Sequence, residues 1–313
     1  MRGKRGSVNL VGMLQAAAVL TVIFSLLTGL DISHPGFELF THFRLQYFVI
    51  SIFLLAVFTF LRHYIYIGSL VVAVIFNATF VLPWYFAESA TVAGEPLKLL
   101  HANVYSSNTE YERLIDLVAV ESPDMIFLQE VTPEWVAATA SLLQDYPYAY
   151  AEPRHGNFGI AAFSRIPFDS IKHIESPPLG YPTILATIMI NGKQLSIISS
   201  HPTTPLGQQM HDARNEQLQS IAGLVEQLAG EVILLGDLNS SVWDIHLRRL
   251  EDSTGLRNVR EGFGVLPSWP TFLPVAMIPI DHALVSKGIA VTDVRTGQKI
   301  GSDHLPLIVT LSL

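Results

Sequence analysis

The sequence predicts three transmembrane helices followed by an α/β domain in which two mixed β-sheets pack face to face with helices outside, a four-layer sandwich. Three observations carry that prediction. Three long apolar stretches, free of charge, fill the first ninety residues. From Leu97 onward, short apolar runs of strand length alternate with amphipathic stretches of helical length. That many apolar strands need two packed sheets, with helices over the outer faces, to bury them.

The apolar stretches are residues 8–30, 45–61 and 64–86, of 23, 17 and 23 residues. A spanning helix needs about 20 apolar residues. Residues 1–87 are therefore expected to form a three-span region, 88–96 a polar linker and 97–313 the outer domain. The first stretch follows a basic start (Arg2, Lys4, Arg5), but it is longer than a signal-peptide core and further spans follow, so it reads as a span and not as a cleaved leader. Arg62 and His63 fill the turn between spans two and three, while Arg44 is set against Asp31 and Glu38 between spans one and two. This cationic bias predicts a multi-pass protein of the cell membrane with a cytoplasmic N-terminus and an extracytoplasmic outer domain, periplasmic or extracellular.

Each outer element has its own signal. Residues 97–104 read as a strand. Ser107-Asn108-Thr109-Glu110 fits a capping box for a helix carrying Leu114, Ile115, Leu117 and Val118. Residues 125–128 form a buried strand that ends in Gln129-Glu130. Thr132-Pro133-Glu134 opens a helix to about Gln144. Residues 159–164, 184–190 and 194–199 read as strands, the last two joined by the hairpin dipeptide Asn191-Gly192. A long amphipathic helix covers 208–228, and strands 232–235, 280–285, 291–295 and 305–311 complete the set.

Composition bounds the chemistry. The chain has no cysteine, which excludes disulfides and thiolate metal sites. From Ala87 to Leu313 there are 25 acidic and 14 basic residues, a net charge of −11. Nucleic-acid binding rests on a basic surface, so bulk binding of this kind is disfavoured for the outer domain.

Polar residues gather at strand ends. Leu234-Leu235-Gly236-Asp237-Leu238-Asn239 is an apolar run closing on a carboxylate and an amide two residues apart, which an extended strand would aim at one face. Asn103, Glu130, His201, Asp281 and the Ser302-Asp303-His304 triplet stand at the ends of other expected strands. Taken singly, Asn103 reads as a turn former, His201 as a structural imidazole and Glu130 equally as a surface residue.

Taken together, in this order, these residues resemble the endonuclease/exonuclease/phosphatase superfamily over residues 97–313. The resemblance implies the same four-layer sandwich. It implies a divalent cation, Mg²⁺ before Mn²⁺, held by Glu130 with Asn103 and Asp303. It makes Asp237 the group that orients and deprotonates water, with Asn239 holding the phosphate or fixing Asp237. His201 and His304 would act on the phosphoryl group, Asp281 orienting His304. Asn157 and Trp269 fall in segments that resemble substrate-side loops, and His282 reads as a bystander.

The expected activity is metal-dependent hydrolysis of an extracytoplasmic phosphoester such as a membrane lipid head group. A membrane-tethered nuclease and a non-catalytic binding protein on the same fold are the competing readings.

Overall fold

The computed structural model describes residues 10–30, 32–86, 94–190 and 192–313. Outside them lie Arg2, Lys4, Arg5, the start of the first stretch, Asp31, most of the expected linker and Asn191. The chain divides at Pro83/Trp84 into two units.

The first unit holds α1 (Leu10–Leu27), α2 (Pro35–Thr41), α3 (Arg44–Leu61) and α4 (Tyr64–Val81); the 3-10 turn after α4, Leu82–Tyr85, crosses the division. Three helices, Leu10–Leu27, Arg44–Leu61 and Tyr64–Tyr85 with that turn included, are long and apolar enough to cross a membrane. They pack through Ala18, Leu54, Phe58 and Leu70, and the Asn77 amide donates to Ser25 Oγ at 2.8 Å between α4 and α1. Arg62 takes the left-handed conformation that ends α3. Two features differ from the sequence expectation. The short helix α2 interrupts the first loop; proline pre-sets its first turn and the His34 ring caps it by accepting from Gly36 N. Arg44 is not a loop residue. It opens α3, fully buried, with its guanidinium donating to Thr28 O and lying 3.6 Å over the Phe80 ring.

The second unit holds twelve strands among the described residues: β1 (Pro96–Asn103), β2 (Met125–Gln129), β3 (Tyr148–Glu152), β4 (Ile160–Ser164), β5 (Ser170–Ser176), β6 (Tyr181–Ile190), β7 (Lys193–Ser199), β8 (Glu231–Asp237), β9 (Arg257–Asn258), β10 (Asp281–Val285), β11 (Ala290–Thr296) and β12 (Leu307–Ser312). They form two mixed six-stranded sheets, ordered β11-β12-β1-β2-β4-β3 and β5-β6-β7-β8-β10-β9. Phe127, Ile160, Leu307, Val309 and Leu311 from one sheet meet Ile184, Ile197 and Ile233 from the other in the central core. Helices α5 (Tyr111–Glu121) and α6 (Pro133–Ala138) cover the first sheet, and α7 (Gly207–Val225) and α8 (Ile245–Thr254) cover the second. The four-layer sandwich is the observed fold.

Some local expectations change. The capping box does not form: α5 starts at Tyr111 without a side-chain cap. Asn108 is used instead, accepting from Glu110 N and donating to Val104 O and Ile300 O, because this loop must be closed against a distant segment. The helix expected to run to Gln144 is α-helical only to Ala138 and tightens to a 3-10 helix over Thr139–Gln144. Strands β3, β5 and β9 and helix α8 add to the elements the sequence predicts. The β6–β7 hairpin forms as expected, with Ile190 paired to Lys193 and Gly192 at φ 76°.

The registers decide where the site lies. β1 runs parallel to β2, and β7 to β8. β10 returns antiparallel to β8 with Asp281 opposite Asp237, and β12 returns antiparallel to β1 with Leu307 opposite His101. Four strand C-termini and two strand N-termini therefore share one end of the sandwich.

Candidate active site

Asn103, Glu130, Asp237, Asp281 and His304 come together at that end. Glu130 follows β2 in a left-handed conformation (φ 62°), which turns its carboxylate back over the strand end. Its Oε1 accepts from Asn103 Nδ2 at 3.1 Å and its Oε2 from Ser106 N at 3.0 Å. The same Asn103 amide donates to Asp237 Oδ2 at 3.2 Å. One amide thus joins carboxylates from both sheets.

Two imidazoles face Asp237 Oδ2: His201 Nε2 at 3.5 Å and His304 Nε2 at 3.6 Å. His304 Nδ1 is held by Asp281 Oδ2 at 2.8 Å, and the other oxygen of Asp281 meets His101 Nε2 at 3.2 Å. Burial alone would lower the His304 pKa, but the Asp281 and Asp237 charges outweigh it and push it up to about 10. Burial likewise opposes the charged form of His201, yet its bond to Asp237 prevails and raises it. Burial would raise both carboxyl groups; the His304 charge, with the other imidazoles, holds Asp237 below its usual range and Asp281 well below it.

Asn239 is placed differently from the strand argument. β8 ends at Asp237, and Asn239 has φ 49°. Its backbone N–H donates to Asp237 Oδ1 at 2.9 Å and its side chain to Pro202 O at 3.0 Å, so it braces Asp237 and the loop after His201. Asp303 lies 4.0 Å from His304 Nε2 and accepts from Trp269 Nε1 at 2.9 Å; the Trp269 ring stands 6.3 Å from that of His304. Asn157 is exposed and accepts from Ser106 Oγ at 2.8 Å. His282 points elsewhere, to Ser240 O, and burial lowers its pKa to about 3.

Two residues of this site are given no role by the sequence reading. His101 is two residues before Asn103 on β1, and the strand period of two is the signal that could have found it. Gln129 is fully buried: its Nε2 donates to Ser200 O and its Oε1 accepts from Asp237 N, each at 2.8 Å. It fastens the end of β2 to the other sheet. Gly236 makes room for it, with φ 151° and a Cβ position 2.0 Å from Ser200 O.

Asp237, Asp281 and His304 each bring a ligand atom within 4.8 Å of the others. With Glu130 beside them, the carboxylate oxygens gathered here suit a hard divalent cation. Such a site can polarise a phosphoryl oxygen and hold water for attack on phosphorus.

The model of the endonuclease/exonuclease/phosphatase family matches residues 100–304. No curated protein sequence matches the chain. Solved structures share the fold. D. rerio TDP2 complexed with a single-strand DNA product is 20% identical, with 70% of this chain and 100% of that one covered and a TM-score of 0.61. The 3′ phosphatase NExo from Neisseria, bound to a product DNA hairpin, is 20% identical over 68% of this chain and 98% of that one, TM-score 0.56. Beta toxin from Staphylococcus aureus is 18% identical over 68% and 99%, TM-score 0.51. The chain belongs to the endonuclease/exonuclease/phosphatase family and is a metal-dependent phosphoester hydrolase that carries three candidate membrane spans.

Proposed function

We propose that the protein hydrolyses a phosphoester of the membrane it is anchored in, a lipid head group, on the extracytoplasmic side. The observation that carries the hydrolytic reading is the Asn103 amide joining Glu130 to Asp237, with both His201 and His304 turned to the same Asp237 oxygen. The lipid reading is supported by the candidate spans and by the net charge of −11 on the outer domain.

In this reading Glu130, Asn103 and Asp303 would hold the cation, Mg²⁺ with Mn²⁺ as substitute. The cation would polarise a non-bridging oxygen and shield the leaving oxygen. Asp237 orients the attacking water and takes its proton. His304 stays protonated between Asp281 and Asp237, so it donates to the phosphoryl oxygens as their charge grows, and His201 does the same from the other side. Asn239 keeps Asp237 in place. Asn157 and Trp269 border the substrate.

The nuclease reading is favoured by the DNA products in the D. rerio and Neisseria structures. The acidic outer domain weighs against it. The test is full-length protein in nanodiscs with Mg²⁺ or EDTA, offered phospholipid, DNA and soluble phosphoesters, with Asp237→Asn as blank. Phospholipid turnover that EDTA abolishes is the expected result. DNA cleavage without phospholipid turnover would replace the lipid reading, and no turnover above the blank would leave a binding protein.

A further inference from the structure

Nineteen consecutive residues, 262–280, carry no charged side chain. Part of the segment is core: Val265, Ile278 and Ile280 are buried. The middle is the opposite. Phe272, Leu273, Pro274 and Val275 are all exposed, Phe272 at 74% and Val275 at 79%. They are held out by a built loop. Trp269 and Ile278 exchange backbone hydrogen bonds at 3.2 and 2.6 Å across its base, and Leu273 N donates to Pro270 O and Ala276 N to Leu273 O in its tip. Four successive exposed apolar residues on a braced tip mark a contact surface.

The segment is tied at its start to the last residues of a candidate span and further on to the site. At its start, Gly262 N and Gly264 N donate to Trp84 O at 3.0 and 2.8 Å, and a Cβ at Gly264 would stand 2.8 Å from the Tyr85 ring. Trp84 and Tyr85 end the third candidate span, where aromatic side chains settle at the membrane–water boundary. Towards the site, Thr271 N donates to Asp303 O, Thr271 Oγ1 to Ser302 O, and Trp269 Nε1 to Asp303 Oδ2. An exposed lysine, Lys299, donates to Thr271 O and so sets an ammonium beside the tip.

We infer that the Phe272–Val275 tip beds in the bilayer that holds the protein's own spans, bringing the mouth of the active site to the lipid surface. The tip offers a protein partner no charged group to pair with, whereas an apolar wedge with a flanking lysine suits phospholipid. That the contact serves substrate entry rests on the lipid-phosphoester reading above; the contact itself does not.

Because the chain has no cysteine, Val275→Cys gives a unique labelling site in the full-length protein. Reconstituted in phosphatidylethanolamine/phosphatidylglycerol vesicles and labelled with an environment-sensitive fluorophore, it is expected to emit to the blue and to be quenched by lipids spin-labelled high on the acyl chain. Val120→Cys, exposed on α5, is expected to stay water-like. Water-like emission at 275, a blue shift without lipid quenching, or equal quenching at both positions overturns the inference. The Phe272→Ser/Val275→Ser double variant should lose roughly tenfold or more of any vesicle-phospholipid turnover while keeping turnover of bis(4-nitrophenyl) phosphate. Quenching at 275 with no phospholipid turnover upholds the bilayer contact and refutes the lipid-substrate reading.

Discussion

Replacing Gln129 by leucine tests whether the site is held together across the two sheets. The side chain is fully buried and makes two hydrogen bonds of 2.8 Å, to Ser200 O and from Asp237 N, both at strand ends of the opposite sheet. Leucine fills much the same space and can make neither. Each stranded backbone group costs about 1–3 kcal/mol, so the loss should total about 2–6 kcal/mol. For a unit of this size, each kcal/mol is worth about 2–4 °C in Tm, so Tm should fall by at least about 4 °C. Asp237 also loses the bond that sets its backbone, and a displacement of about 1 Å can cost roughly 100-fold in rate. The assays are thermal unfolding of the reconstituted protein and Mg²⁺-dependent turnover of bis(4-nitrophenyl) phosphate. A variant that melts within about 1 °C of the parent and turns over at the parental rate would refute the idea that Gln129 couples the sheets and positions Asp237.

Other perturbations have equally definite outcomes. Gly236→Ala should fail to accumulate as folded protein, since its Cβ would lie 2.0 Å from Ser200 O, and limited proteolysis reads this directly. Asp237→Asn should keep the parental Tm to within a few degrees and lose about 100- to 10,000-fold in turnover, the range for a general base. Burial pushes the Glu251 carboxyl up to about 7, from an ordinary 4.5. Its contribution to stability is complete below pH 4.5 and is lost as pH rises through 7. Glu251→Gln should therefore be more stable than the parent at pH 8, by about 1–3 kcal/mol, and gain nothing at acid pH. Equal differences in Tm at both ends of that pH range would refute this.

The candidate spans and the core strands were legible because apolar side chains in an unbroken run leave a local mark. Met125–Gln129 and Glu231–Asp237 are apolar almost throughout and end in polar residues, which is how buried strands read. The edge strand β3 leaves no such mark, since its residues are exposed or half-exposed. Helix α8 buries only Leu247 and Leu250, too little for a stripe. Asn239 does not follow the strand alternation, because the left-handed turn after Asp237 is set by its bonds to Asp237 and Pro202.

By itself, then, the sequence determined which segments are apolar enough to enter a membrane or a sheet, and which polar residues stand at the ends of those segments. Both are properties of neighbours along the chain. Only the tertiary structure decided which ends meet. Asn103 reaches Asp237 across 134 residues, and His101 reaches Asp281 across 180. Such contacts follow from strand order and sheet packing, to which no periodicity in a single stretch of chain is sensitive.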